Sequence, residues 1–120
     1  MHIKNLTNQV SVSEQLTASD MATLSELGIE RLICNRPDGE AEKQETYAEI
    51  KEAAANYGII TEHIPFRNGE INQAHQAAFN DIINSGQRVH AYCRTGNRST
   101  MLWALCSQQQ GMANTQIIDA

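Results

Sequence analysis

The feature that most limits the folds open to this chain is the alternation of short aliphatic, β-branched runs with helical patterns, glycine marking most helix exits. Ile29 to Cys34 is one such run, bounded by Gly28 and by the turn-forming stretch Asn35-Arg36-Pro37-Asp38-Gly39. A helix from about Glu42 to Tyr57 follows, with Tyr47, Ile50, Ala53 and Ala54 on one face and Gly58 at its end. Ile59 to Ile64 reads as the next strand, stopped by Pro65. A helix over Asn72 to Asn84, with Ala77, Phe79, Ile82 and Ile83 inward, leads through Gly86 to a strand from Arg88 to Tyr92. A last helix runs from near Ser99 to Gln110, with Leu102, Leu105 and Cys106 as its apolar stripe, and Gly111 marks its end; Met112 to Ala120 suggest one more short helix.

Ahead of these units, Ile3 to Leu6 and Gln9 to Ser13 form a hairpin pattern around Thr7-Asn8. Thr17-Ala18-Ser19-Asp20 has the spacing of a capping box and opens a helix through Met21, Leu24 and Leu27. Strands joined by helical crossovers are parallel and right-handed, so their C-terminal ends share one edge, where open α/β sheets bind ligands. The expectation is a three-layer α/β fold with a central, mostly parallel sheet of four or five strands. The loops Asn35 to Glu40, Pro65 to Glu70 and Cys93 to Arg98 then meet at that edge.

The length, 120 residues, suits a single domain over residues 1–120. With 9 Lys plus Arg against 14 Asp plus Glu the net charge is -5, a poor footprint for binding nucleic acid. No apolar stretch approaches the length of a membrane span, and Met1-His2-Ile3-Lys4-Asn5 leads into polar sequence, which sets the expectation of a cytoplasmic protein. Three scattered cysteines form no disulfide framework, and the four histidines fall in no metal-binding spacing. Neither a metal nor another cofactor is implied.

The segment His90-Ala91-Tyr92-Cys93-Arg94-Thr95-Gly96-Asn97-Arg98-Ser99-Thr100 carries the chemistry. A strand feeds a cysteine, then a tight loop, then a helix. Such a loop turns successive N–H groups inward as an anion nest, reinforced by the helix dipole. Gly96 permits the curl, and Arg98 adds a planar charged fork for an oxyanion. In this field a thiol can fall from about 8.5 to roughly 3.5–7.5, and only the thiolate is nucleophilic. Cys93 is therefore the candidate nucleophile and Arg98 its partner, with Arg94, Thr95, Gly96, Asn97 and Ser99 as substrate-binding positions. Arg36, Asp38 and Cys34 are candidates for the pocket lining, Asp38 equally as a plain turn residue. Cys34 is also a candidate resolving thiol. Cys106 reads as core, and His63 and His90 as satisfied strand histidines.

The segment resembles the active-site loops of cysteine-dependent phosphatases and of rhodaneses. Leu6 to Leu16, Asn35 to Glu40 and Tyr92 to Ser99 together resemble the DUF442 family, the phosphatase-like domain of beta-lactamase hydrolase-like proteins. That resemblance implies a fold like the dual-specificity phosphatases. Some members are fused to a persulfide dioxygenase, which the resemblance implies as a functional partner in sulfide detoxification.

The reaction is left between two chemistries. Tyrosine and dual-specificity phosphatases carry C-x5-R, whereas Cys93 to Arg98 is C-x4-R, the length typical of rhodanese-like sulfurtransferases. Shortening the ring should remove an inward N–H and contract the pocket. A phosphatase of this type also needs a general acid, commonly an Asp on the loop after the preceding strand. Here that loop offers Phe66, Arg67 and Asn68, leaving Glu70 or Asp38. Both features favour a sulfurtransferase that takes sulfur from a sulfane-sulfur donor as a Cys93 persulfide. Ser99 matches the hydroxyl that eases thiolate departure in phosphatases and argues for the alternative, a phosphorylated substrate and a phosphocysteine. A non-turnover anion or redox sensor is the third reading.

Overall fold

In a computed structural model of the chain, which describes the backbone of residues 1–119 and the side chains of residues 1–108, the aliphatic runs pair into one mixed sheet. Its strands are β1 (Lys4–Asn5), β2 (Val10–Ser13), β3 (Arg31–Cys34), β4 (Ile60–His63) and β5 (Val89–Tyr92), in the spatial order β1-β2-β5-β3-β4. β1 and β2 form the antiparallel hairpin, closed where Thr7 Oγ1 accepts from the Gln9 and Val10 amides. All other pairings are parallel. The helices are α1 (Met21–Glu26), preceded by a 3-10 turn over Ala18–Asp20, α2 (Tyr47–Ala55), α3 (Gln73–Asn84) and α4 (Asn97–Asp119).

Strand side chains alternate between the two faces, so each face builds its own core. On one, Val10, Val12, Ile33, Val89 and Ala91 pack with Phe79 and Ile82 of α3 and with Leu102 and Cys106 of α4. On the other, Leu32, Cys34 and Tyr92 pack with Met21 and Leu24 of α1 and with Ile50 and Ala54 of α2. The result is the expected three-layer α/β arrangement. Among the described residues no helix is long and apolar enough to cross a membrane.

Two boundaries and one inward helix position differ from the sequence expectation. α2 begins at Tyr47 rather than near Glu42, because Thr46 and Glu49 form a capping box there, with Thr46 Oγ1 accepting from the Glu49 amide at 3.2 Å. α4 does not stop at Gly111 but continues to Asp119 without a second short helix. A glycine inside a helix costs only about 1 kcal/mol against alanine, too little to end one by itself. On α3, Ala78 packs against the core and Ala77 is exposed.

The parallel register aligns Ser13 and Cys34 with Tyr92, and His63 with Cys34. All four parallel strands thus end in one row and open their loops on one edge. Three of those loops are the expected ones. The fourth, from Glu14 onward, is there because β2 lies beside β5.

That neighbouring pair is cross-linked by a buried polar chain. Ser13 Oγ donates to the Glu14 carbonyl at 3.0 Å, so it accepts from His90 Nε2 at 2.8 Å. The neutral ring then has a bare Nδ1, which accepts from Ser11 Oγ at 2.7 Å. Burial pushes His90 down from 6.5 to about 4, and the Glu14 carboxylate offsets only part of this. Its pKa is lower folded than unfolded, so its contribution is complete above pH 6.5 and is lost as pH falls toward 4. The loss amounts to about 3 kcal/mol. Urea midpoints measured from pH 7 down to pH 4.5 should therefore fall more steeply in the parent than in His90→Gln; equal slopes would remove His90 as the cause.

Candidate active site

β5 carries the chain to Cys93, and α4 begins four residues later, at Asn97. Between them Gly96 adopts φ +94°, in the left-handed region that favours glycine. A Cβ at that position would meet the carbonyl carbon and oxygen of Ser13 at 3.3 Å. Glycine is thus required twice, by the curl and by the close approach of β2. The curl aims the Gly96 N–H at Cys93 Sγ, 3.0 Å away. The amides of Ser99, Thr95 and Arg98 also act on the sulfur, favouring its thiolate.

These donors decide the state of the thiol. Burial pushes Cys93 up, but the four amides more than offset it, and its pKa lies below the ordinary 9.0. Burial pushes Cys34 and Cys106 up instead. Only one of the three cysteines is biased toward thiolate. Cys93 has no exposed surface, so the sulfur sits at the floor of its loop.

Arg98 is held beside the floor by a two-pronged contact with Glu40, Nη2 to Oε1 at 2.7 Å and Nη1 to Oε2 at 2.9 Å. Nη1 also donates to the Phe66 carbonyl at 3.1 Å. The same carboxylate accepts from Arg36 Nε at 3.0 Å, and Arg36 Nη1 reaches Gln15 Oε1 at 3.0 Å. Glu40 is the residue that sequence reasoning missed. It stands in the loop expected at this edge, but its pairing with a residue 58 positions away has no local signal. The hydrogen bond from Arg98, the burial it outweighs and the bond from Arg36 leave its carboxyl below the usual range, while Glu40 in turn raises Arg98.

Ser99 is tied elsewhere than expected. Asn35 Nδ2 donates to the Ile64 carbonyl at 3.0 Å, which leaves Asn35 Oδ1 to accept the Ser99 hydroxyl at 2.8 Å. Ser99 therefore serves the sulfur with its amide, and its hydroxyl braces the loop after β3.

Of the remaining candidates, Arg94, Thr95 and Asn97 lie exposed at the loop, where Thr95 Oγ1 accepts from the Asn97 amide at 3.3 Å. Asp38 is exposed and spends its carboxylate on the start of α2, accepting from the Tyr47 amide at 2.8 Å. Cys34 is buried under the edge and donates to the Arg36 carbonyl at 3.3 Å. Arg36 is buried and touches the site through Glu40. Glu70 lines an open hollow of about 510 Å³ above Arg98, together with Glu40, Arg67, Asn68 and Arg94.

Residues 2–111 match the family model for the phosphatase-like domain of Beta-lactamase hydrolase-like protein. The Beta-lactamase hydrolase-like protein of Xylella fastidiosa is 26% identical over 121 residues, spanning 100% of this chain and 28% of that protein. That of Agrobacterium fabrum is 28% identical over 106 residues, 88% of this chain and 25% of that protein. The chain thus spans only about a quarter of these curated relatives. A candidate phosphatase from Neisseria meningitidis superposes with a TM-score of 0.76 at 37% identity, over 82% of this chain and 71% of that one. The catalytic core of a PP-IP phosphatase from S. cerevisiae gives 0.72 at 16% identity, over 98% of this chain and 71% of that one, a likeness of fold alone.

The Cys93 geometry has a spectroscopic consequence. Titration followed by thiolate ultraviolet absorbance should show one thiol ionising below 9.0 that disappears in Cys93→Ser. In Gly96→Ala, whose Cβ presses on Ser13, that transition should move upward; an unmoved transition would mean that the curl does not set the thiol's acidity.

Proposed function

We propose, because this chain belongs to the family of phosphatase-like domains of beta-lactamase hydrolase-like proteins, that it hydrolyses phosphate esters through a phosphocysteine at Cys93. The observation that carries this reading is the convergence of four amides on the Cys93 sulfur, with the Arg98 fork clamped by Glu40 beside it. A tetrahedral dianion seated over the sulfur would find donors already oriented, so little reorganisation accompanies charge transfer to its oxygens.

The reaction has two displacements. The Cys93 thiolate attacks phosphorus in line, forming the S–P bond as the ester P–O bond breaks, and the leaving oxygen takes a proton. Water then attacks phosphorus, the S–P bond breaks, the electron pair returns to sulfur, and orthophosphate leaves. The returning thiolate is received by the loop amides, that of Ser99 included, since the Ser99 hydroxyl is engaged with Asn35.

The proton donor in this scheme is Glu70. Glu40 is held ionised by its two arginines, and Asp38 caps α2, which leaves Glu70 as the carboxyl of the hollow free to give a proton to the leaving group and take one from water. The same cradle supports a second reading, sulfur transfer through a Cys93 persulfide, which the six-residue span from Cys93 to Arg98 favours.

Parallel assays separate the two. Hydrolysis of p-nitrophenyl phosphate should be abolished by Cys93→Ser, and Glu70→Gln should lower kcat by about 100-fold, with a larger loss for a less acidic leaving alcohol. Thiosulfate:cyanide transfer without any phosphate release would replace the phosphatase reading by the sulfurtransferase one.

A further inference from the structure

We propose that Arg67 and Arg94 form a second anion-binding position on the wall of the hollow that Arg98 also lines, so that the substrate carries a further phosphate-like anion beside the phosphoryl group that reaches Cys93. The inference rests on the phosphatase reading and narrows its substrate class. Charge is distributed unevenly on this acidic chain: of its six arginines, Arg36, Arg67, Arg94 and Arg98 stand at the edge where the loops meet. Arg36 and Arg98 share Glu40. Arg67 and Arg94 are exposed, and neither side chain has a hydrogen-bonding or ionic partner among the described residues.

Both come from loops whose backbones are pinned. The Glu70 amide donates to the Arg67 carbonyl at 3.0 Å across a turn that Gly69 closes with φ +77°. The Gln15 amide donates to the Arg94 carbonyl at 3.3 Å. Two uncompensated guanidiniums on one hollow repel each other when it is empty, and an anion between them relieves that repulsion. Among the described residues Glu70 is the one carboxylate on the wall not committed to an arginine, and it is outnumbered there by these two cations.

Calorimetric titration of Cys93→Ser protein with inorganic phosphate and with pyrophosphate tests this without requiring turnover. Pyrophosphate should bind at least about tenfold more tightly, and the preference should weaken with added salt. On the same background Arg67→Ala should bring the affinity ratio toward one. Arg88→Ala, which removes an equal charge just before β5 at the opposite end of the strands, should keep the preference. Phosphate binding without a pyrophosphate preference, or a preference intact in Arg67→Ala, would overturn this inference alone. Failure to bind either anion would overturn it together with the cradle on which it stands.

Discussion

Four backbone N–H groups turned onto one sulfur set the terms for everything around them. They converge only if Gly96 takes its left-handed conformation, and that conformation fits only because the glycine lies bare against Ser13 at the end of β2. The first turn of α4 must then start at once, since the Arg98 and Ser99 amides belong to it. The sheet order follows the same requirement. β5 lies between β2 and β3, so the cysteine loop is walled by the ends of two parallel neighbours.

Around this floor the polar groups divide the work without overlap. Glu40 is committed to guanidiniums, Asn35 to the Ile64 carbonyl and the Ser99 hydroxyl, and Asp38 to the start of α2. Each commitment removes a group from the set available for proton transfer. What is left facing the hollow is Glu70, a carboxyl with no arginine pairing among the described residues.

Much of the architecture was legible in the sequence, because alternation and glycine exits are local signals. The Cys93 loop was legible for the same reason: cysteine, curl, arginine and helix follow one another along the chain. Non-local pairings were not. Val10-Ser11-Val12-Ser13 reads as one arm of a hairpin, and nothing in it announces that Ser11 and Ser13 will meet His90 from across the sheet. Glu40 looked like the tail of a turn, and Ser99 like a hydroxyl for the sulfur rather than a brace for Asn35. Counting residues from Cys93 to Arg98 gave the length of the ring but not all the amides that act on the sulfur. The count treats the loop as an isolated ring, whereas the helix that follows it supplies the Ser99 amide.

The buried sequence from Ser11 through His90 to Ser13 and the Glu14 carbonyl admits one order of protons, because its last acceptor has none to give back. Such a string has a direction, and reversing any link would strand a lone pair or a hydrogen in the dry interior. Its last hydroxyl belongs to Ser13, the residue against which Gly96 rests. Acidifying the medium would consequently act on Cys93 twice, once by protonating its sulfur and once by loosening the wall that keeps its loop wound.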